Sequence, residues 1–481
     1  QVGVYAQTFE TLTGKRMSPD EIKFDLGASV LHVRKNGAGL WTFVEGSRYN
    51  RRITASPAFK PVLLAADGPG AAVLAATNAD RLGAEIHGTH SNCSGATTPW
   101  GTFLSCEENV QFWTPEAVDT TGRGTVGGMF EQLGSKYGWV VEVDPYDPAS
   151  VPVKHTALGR FRHENVALRA EASRVVAAYM GDDRTGGHVY KFVSATRYQP
   201  GTANRPANMK LLSEGRLFAA KLNTDGSGEW LPLEPEQRLA PNAGQPMPTF
   251  PETARTLTDV YETPGAILID AFRACNAVGA TPCGRPEDLE VHDDGSVYIA
   301  FTENGPRGSR LFTNRFGEIW RLVEEGNDPT AMRFRWERFS AGGGAPEEGG
   351  YSSPDNLIFD RAGNLWVVTD IATRAHNRAD DPRGVYGNNS LLVIPTSGPD
   401  AGRPRRFASG PSECELTGPT FTPDETALFI SIQHPGERGG VRTAGSRGAG
   451  LRNGAVAGSN WPTPGKLGAP PRPGVVVISR A

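Results

Sequence analysis

FDRAGNLWVVTD (Phe359–Asp370) decides the fold: a polar turn holding Asp, Gly and Asn runs straight into an apolar stretch rich in β-branched and aromatic side chains. That order predicts a strand entered through a tight turn. The same kind of unit returns at VHDDGSVYIAFTE (Val291–Glu303), FTPDETALFISIQH (Phe421–His434) and LHVRKNGAGLWTFVE (Leu31–Glu45), alike in character although not in sequence. GTFLSCEE, GWVVEVDP, SRVVAAYMGDD, GHVYKFV, GEIWRLV and the terminal GVVVISRA add further strands, so the whole chain reads as antiparallel β. Roughly six sheet-sized clusters can be counted, and sheets repeated radially protect their own edges. The expected fold is therefore all-β, a six-bladed β-propeller with long inserted loops and minor helical insertions.

One domain over 1–481 is expected. Its rhythm is interrupted near 199–273, where TARTLTDVYET predicts a helical stretch, and again in a Gly/Arg-rich run over 436–473 that predicts a long surface loop. The last strand, Val475–Ser479, is expected to close the ring on a sheet begun near the N-terminus.

Composition narrows the function. The 481 residues include 58 glycines and 37 prolines, scattered among short apolar runs as strands joined by tight turns require. Net charge is −4, from 49 basic and 53 acidic residues spread along the chain, so no basic stripe is available for a nucleic-acid backbone. The longest apolar stretches, such as Pro61–Ala66 and Gly474–Ile478, fall far short of the ~20 residues of a membrane-spanning helix. The chain starts at Gln1 rather than Met, which suggests that a precursor segment was removed or omitted and leaves export open at this point. Five cysteines are an odd number; Cys275 and Cys283 are close enough in sequence to pair in an oxidising environment, leaving Cys93, Cys106 and Cys414.

Ligand-type residues gather where predicted strands meet their loops. They are Cys93, Glu107 and Glu108; His163 and Glu164; Asp182, Asp183 and Arg184; Arg285, Glu287, Asp288 and Glu290; Asp355 and Asn356; and Glu413 and Glu415. Taken singly, each acid serves equally well as a turn cap. Brought together on a propeller axis, they would repel one another unless cations balanced them. That many oxygen donors suits calcium or a transition ion, and nothing has zinc-finger spacing. Arg184, His163 and His434 read equally as turn or packing residues and as supports for a neighbouring acid.

NCSGATTPWGTFLSCEEN (Asn92–Asn109) is similar to the NCSGG-TPWGTWLTCEE motif of the PhoX-type alkaline phosphatases. GRFRHENVA, YMGDDRTGGHVYKFVS, LNTDGSGEWLPL, NAVGATPCGRPEDLEV, SPDNLIFDRAGNLWVVTD and ELTGPTFTPDETALFISIQHPGE resemble further motifs of that family in the family's order, over about residues 85–437. The resemblance implies an exported phosphomonoesterase, periplasmic or secreted, whose axial funnel holds two Fe3+ and three Ca2+ ions with a bridging oxide. By the same motifs, Cys93, Glu108, Glu164, Glu287, Asp355 and Glu415 would be metal ligands and Arg285 would bind the substrate phosphate. Where many relatives read MDRPE this chain reads CGRPE, which keeps Arg285 and Glu287. Small phosphate esters are the expected partners, and a monomer the expected state. Two other readings compete: a calcium-dependent propeller lactonase or esterase using Asp355, Asn356 and Glu287, and a non-catalytic binding propeller.

Overall fold

The computed structural model describes residues 17–56, 62–240, 250–436, 459, 461–463 and 471–479. The predicted turn-and-strand units form as read. At Phe359–Asp370, Asp360 Oδ1 accepts from the Asn364 amide (2.8 Å) and its Oδ2 from Trp366 Nε1 (2.9 Å), while Gly363 takes the left-handed φ of +79° that closes the turn. The strand that follows, Leu365–Thr369, then buries Leu365, Val367 and Val368.

The sheets stand around an axis as propeller blades. Their innermost strands, Asn92–Thr97, His163–Ala170, Pro286–Val291, Pro354–Phe359 and Glu415–Phe421, are neighbours in that order. Each pairs antiparallel with the next strand outward: Phe103–Glu107, Val175–Asp182, Val297–Phe301, Leu365–Thr369 and Ala427–Gln433. At the outer edges of the second and third blades, Ser227–Glu229 pairs with Arg333–Arg335, joining the two into one nine-stranded sheet with no free edge between them. The sector between the fifth and first blades holds two short N-terminal pairs, Ala28–Val30 with Arg51–Ile53 and Val33–Lys35 with Trp41–Phe43. Trp41 meets Phe429 of the fifth blade edge-on at 5.3 Å, and Arg51 reaches the Pro145 carbonyl of the first at 3.4 Å.

Three expectations need correction. Within 199–273, Gly215–Leu222 and Ser227–Pro232 are strands of the nine-stranded sheet, their alternation hidden between Gly- and Pro-rich flanks. TARTLTDVYET supplies only a 3-10 turn, Leu257–Asp259, and the helices follow it at Pro264–Ile269 and Ala271–Val278. They start where Thr263 caps the Ala266 amide (3.1 Å) and end at Gly279 with φ +82°. The terminal strand Gly474–Ser479 pairs with Ala427–Gln433 of the fifth blade rather than with an N-terminal strand. Nearly all of the run 436–473 lies outside the described residues.

Cys275 and Cys283 do not pair, and all five cysteines are free. Cys275 faces the core packed under the two helices, whereas Cys283 is buried in the separate core shared by the second and third blades.

Candidate metal centre and active site

Four of the five inner strands carry a β-bulge in their opening residues, between Asn92 and Gly95, His163 and Val166, Pro286 and Leu289, and Pro354 and Leu357. A bulge breaks strand alternation and re-aims side chains. The residues inside are Cys93–Ser94, Glu164–Asn165, Glu287–Asp288 and Asp355–Asn356. In three blades the first of each pair enters an acidic cluster on the axis, and the second ties blade to blade. Asn165 Nδ2 donates to Asp288 Oδ1 and to the Leu289 carbonyl (2.9 Å), the Leu357 amide donates to Asp288 Oδ2 (2.9 Å), and the Gly418 amide donates to Asn356 Oδ1 (2.8 Å). Three entries are also strained: Ser91, Arg285 and Ser353, each just before its strand, sit at φ +58°, +52° and +57°.

The ends of the second strands meet the same rim. Glu108, Asp183 and Asp370 follow those strands, and their amides bond to the carbonyls of Ser91 (3.0 Å), Arg162 (3.0 Å) and Ser353 (2.8 Å). As a result, Glu108, Asp183 and Glu287 bring carboxylate oxygens within 4.8 Å of one another, as do Glu164, Glu287 and Asp355. Cys93 Sγ lies 3.2 Å from Glu164 Oε1, which also accepts from Asn356 Nδ2 (2.8 Å). Glu415 is held by Gln433 Nε2 (2.8 Å) and His434 Nε2 (3.1 Å).

Among the described residues, protein cations do not balance this cluster. Arg285 is the guanidinium within it, and it donates through Nε and Nη2 to Asp183 (2.8 and 2.9 Å), with Nη2 also 2.9 Å from Glu287 Oε1. Burial would raise Asp183, but Arg285 outweighs it and holds the carboxyl at about 2. The others go the opposite way. Burial, with neighbouring carboxylates, pushes Glu108, Glu287 and Asp355 well above the ordinary range, and burial takes Glu164 to about 8. Burial and four surrounding acids also push up the Cys93 thiol. Glu164 Oε2 is buried with no hydrogen-bond partner among the described residues. One thiol, several crowded carboxylates and an orphaned carboxylate oxygen form a donor set suited to several cations.

All six predicted ligands and Arg285 therefore come to one end of the axis. Arg285 arrives with Nε and Nη2 engaged on Asp183 and with Nη1 4.0 Å from Asp370. His163 is a packing residue: its Nε2 bonds the Gly159 carbonyl (2.8 Å), Phe161 stacks on it at 3.6 Å, and burial lowers it to about 3. Asp183 stands in the sequence among the ligand-type residues but outside the six that the motifs assign to metal; its mark there is the doublet in GDDR. Thr302, which donates to Glu287 Oε1 (2.8 Å), carries no mark at all.

The family profile described as alkaline phosphatase PhoX matches residues 10–436. The chain belongs to the PhoX alkaline phosphatase family. Among solved structures, Pseudomonas fluorescens PhoX in complex with vanadate, a transition-state analogue, is 32% identical with a TM-score of 0.76, over 96% of this chain and 82% of that one. A gluconolactonase from Xanthomonas campestris, XC5397, is 12% identical with a TM-score of 0.27, over 69% of this chain and 66% of its own. No curated protein sequence matches. The PhoX membership makes this chain a phosphatase, and the lactonase and binding-module readings give way to it. Among the described residues no helix is long and apolar enough to cross a membrane.

Proposed function

We propose that this PhoX phosphatase hydrolyses phosphate monoesters on the axis of the propeller, with Cys93, Glu108, Glu164, Glu287, Asp355 and Glu415, joined by Asp183, holding two Fe3+ and three Ca2+ ions and a bridging oxide. The observation that carries the reading is the orphaned Glu164 Oε2, buried among more carboxylates than Arg285 can neutralise. When bound, such ions supply Lewis acidity and charge neutralisation to the transferring phosphoryl group.

The chain's own residues do the rest. Asp183 fixes the Arg285 guanidinium by two bonds, so its Nη1 edge is pre-positioned to donate to a phosphate oxygen at little entropic cost. Thr302 and Asn356 hold the Glu287 and Glu164 carboxylates in place. Gln433 and His434 do the same for Glu415. The enzyme works as a monomer in the periplasm or outside the cell, on small phosphate esters.

The test is metal content by mass spectrometry on the untreated protein, with hydrolysis of p-nitrophenyl phosphate at alkaline pH. Iron and calcium together with turnover support the reading. Turnover without iron, or calcium alone, overturns the proposed cluster.

A further inference from the structure

Beside the acidic rim lies a cavity of about 230 Å3, between the loop after Glu108 and the helix Ala271–Val278. Two rim segments run directly into its wall. Val110 follows Glu108 by two residues, and Arg184 follows Asp183. The floor is apolar, made by Val110, Phe161, Ile269 and Phe272. Over the Phe272 ring the Arg184 guanidinium lies at 4.0 Å, locked there by Asp182 (2.8 Å) and Glu116 (2.7 Å). The mouth is formed by partly exposed Glu116 and Arg273 and by exposed Ala117.

None of these groups is needed to build the metal centre. Glu116 is satisfied by Arg162 and Arg184, and Asp270 by Arg273 and Tyr261. What the cavity offers a ligand is a carbon floor and the planar edge of an arginine–phenylalanine stack. Its volume is below the about 300–1,000 Å3 of sites that enclose a whole drug-sized molecule, so it suits one ring system.

We propose that this cavity is the leaving-group subsite of the phosphatase, seating the planar or aromatic organic part of a phosphate ester while the phosphate faces the axis. It rests on the proposed axial chemistry. The enzyme then selects aryl-type esters over small aliphatic ones, because an aromatic contact of this kind is worth about 0.5–1.5 kcal/mol, roughly a two- to twelvefold preference.

The test compares kcat/KM for p-nitrophenyl phosphate and glycerol phosphate in the full chain, in Ala117→Trp and in Phe272→Ala. Ala117→Trp fills the mouth without removing a contact, which keeps the test open should Phe272→Ala fail to fold. The ratio of aryl to alkyl kcat/KM is expected to fall roughly three- to tenfold in both variants, mainly through KM, with metal content unaltered. An unchanged ratio in Ala117→Trp overturns the subsite while leaving the axial reading intact. Absence of turnover of either ester by the metal-loaded parent chain overturns the axial reading instead.

Discussion

Glu107 and Glu108 are neighbours in one CEE motif, yet they belong to two regions that treat charge oppositely. Glu107 turns into the first blade and is fully paired. Its Oε1 accepts from Lys154 Nζ (2.6 Å) and Thr89 Oγ1 (2.7 Å), and its Oε2 from the Gly138 and Trp139 amides (2.9 and 3.1 Å). Glu108 turns to the axis and finds Asp183 and Glu287, whose charges, after burial itself, push its carboxyl well up. A buried carboxylate finished by protein donors holds a sheet together, whereas one left among its own kind calls for cations. The blade interior offers its carboxylate at Glu324 a cation instead of fellow acids: Lys191 lies 2.7 Å away with neither side chain exposed, and Trp230 Nε1 donates to the same oxygen (3.0 Å), although Glu324 Oε2 has no hydrogen-bond partner among the described residues. The axis repeats the second at Glu164, Glu287 and Asp355.

The largest effect should come from breaking the axial side of this contrast. Glu287→Gln, at the residue common to both carboxylate triads, is expected to lose metal and to cut kcat/KM by on the order of 10³, because the charge stabilisation of the phosphoryl group goes with it. Its metal-free form should melt no lower than metal-free wild type, since a crowded carboxylate has been removed. A lower melting temperature would mean that Glu287 is structural and that the axis is not strained by its acids.

Next in size is Arg285→Ala, which on the proposed role removes one donor to the phosphate and should reduce kcat/KM by roughly a hundredfold with bound metal retained. Loss of metal on that substitution would make Arg285 a brace for Asp183 alone. On the sheet side, Lys154→Met leaves Glu107 buried without its cation and should cost about 3–5 kcal/mol in denaturant unfolding, with kcat per folded molecule unchanged. A full-stability variant would show that the amides and Thr89 suffice for Glu107.

The two regions are not equally legible in the sequence. Polar doublets such as ED in GRPEDLEV and DN in SSPDNLIFD break strand alternation, and that break is plain from the residue order alone. What it means, one side chain to the axis and one to the next blade, depends on the bulge, which leaves no local mark. Glu107 and Glu108 cannot be told apart by local pattern, because Lys154 lies far along the chain and only the pairing of Val140–Val143 with Phe103–Glu107 brings its strand close. The strands in 215–232 are masked by their Gly- and Pro-rich flanks, and the Cys275–Cys283 pairing that the sequence leaves open does not form, because proximity in sequence does not fix which core a thiol enters. The repeated turns, by contrast, are local chemistry, and at Asp360 and Asp294 an Asp side chain with a left-handed Gly forms just what the sequence predicts.

The smallest effect sharpens the comparison with a third kind of buried charge, a histidine between two acids. His155 is buried in the outer part of the first blade with Nδ1 3.2 Å from Asp67 and Nε2 2.8 Å from Glu142. Burial would lower it, but the two carboxylates outweigh burial and raise it to about 10 from 6.5. A raised folded value means that the folded chain holds a proton the unfolded chain has released, so the contribution is complete below pH 6.5 and fades as pH climbs towards 10. Lys154, lowered to about 8 chiefly by burial, contributes the opposite slope above that pH, and acids raised by burial such as Glu164 add to the slope of His155 below it, so His155 is isolated by the difference between wild type and His155→Gln from about pH 6.5 to 8. There, unfolding free energy should fall by up to about 1.4 kcal/mol per pH unit from this one group, and His155→Gln should flatten the slope by that amount. An unaltered slope would mean that the ring is neutral in the fold and that its two acids are held by Thr102, Trp100 and Ser213 without it.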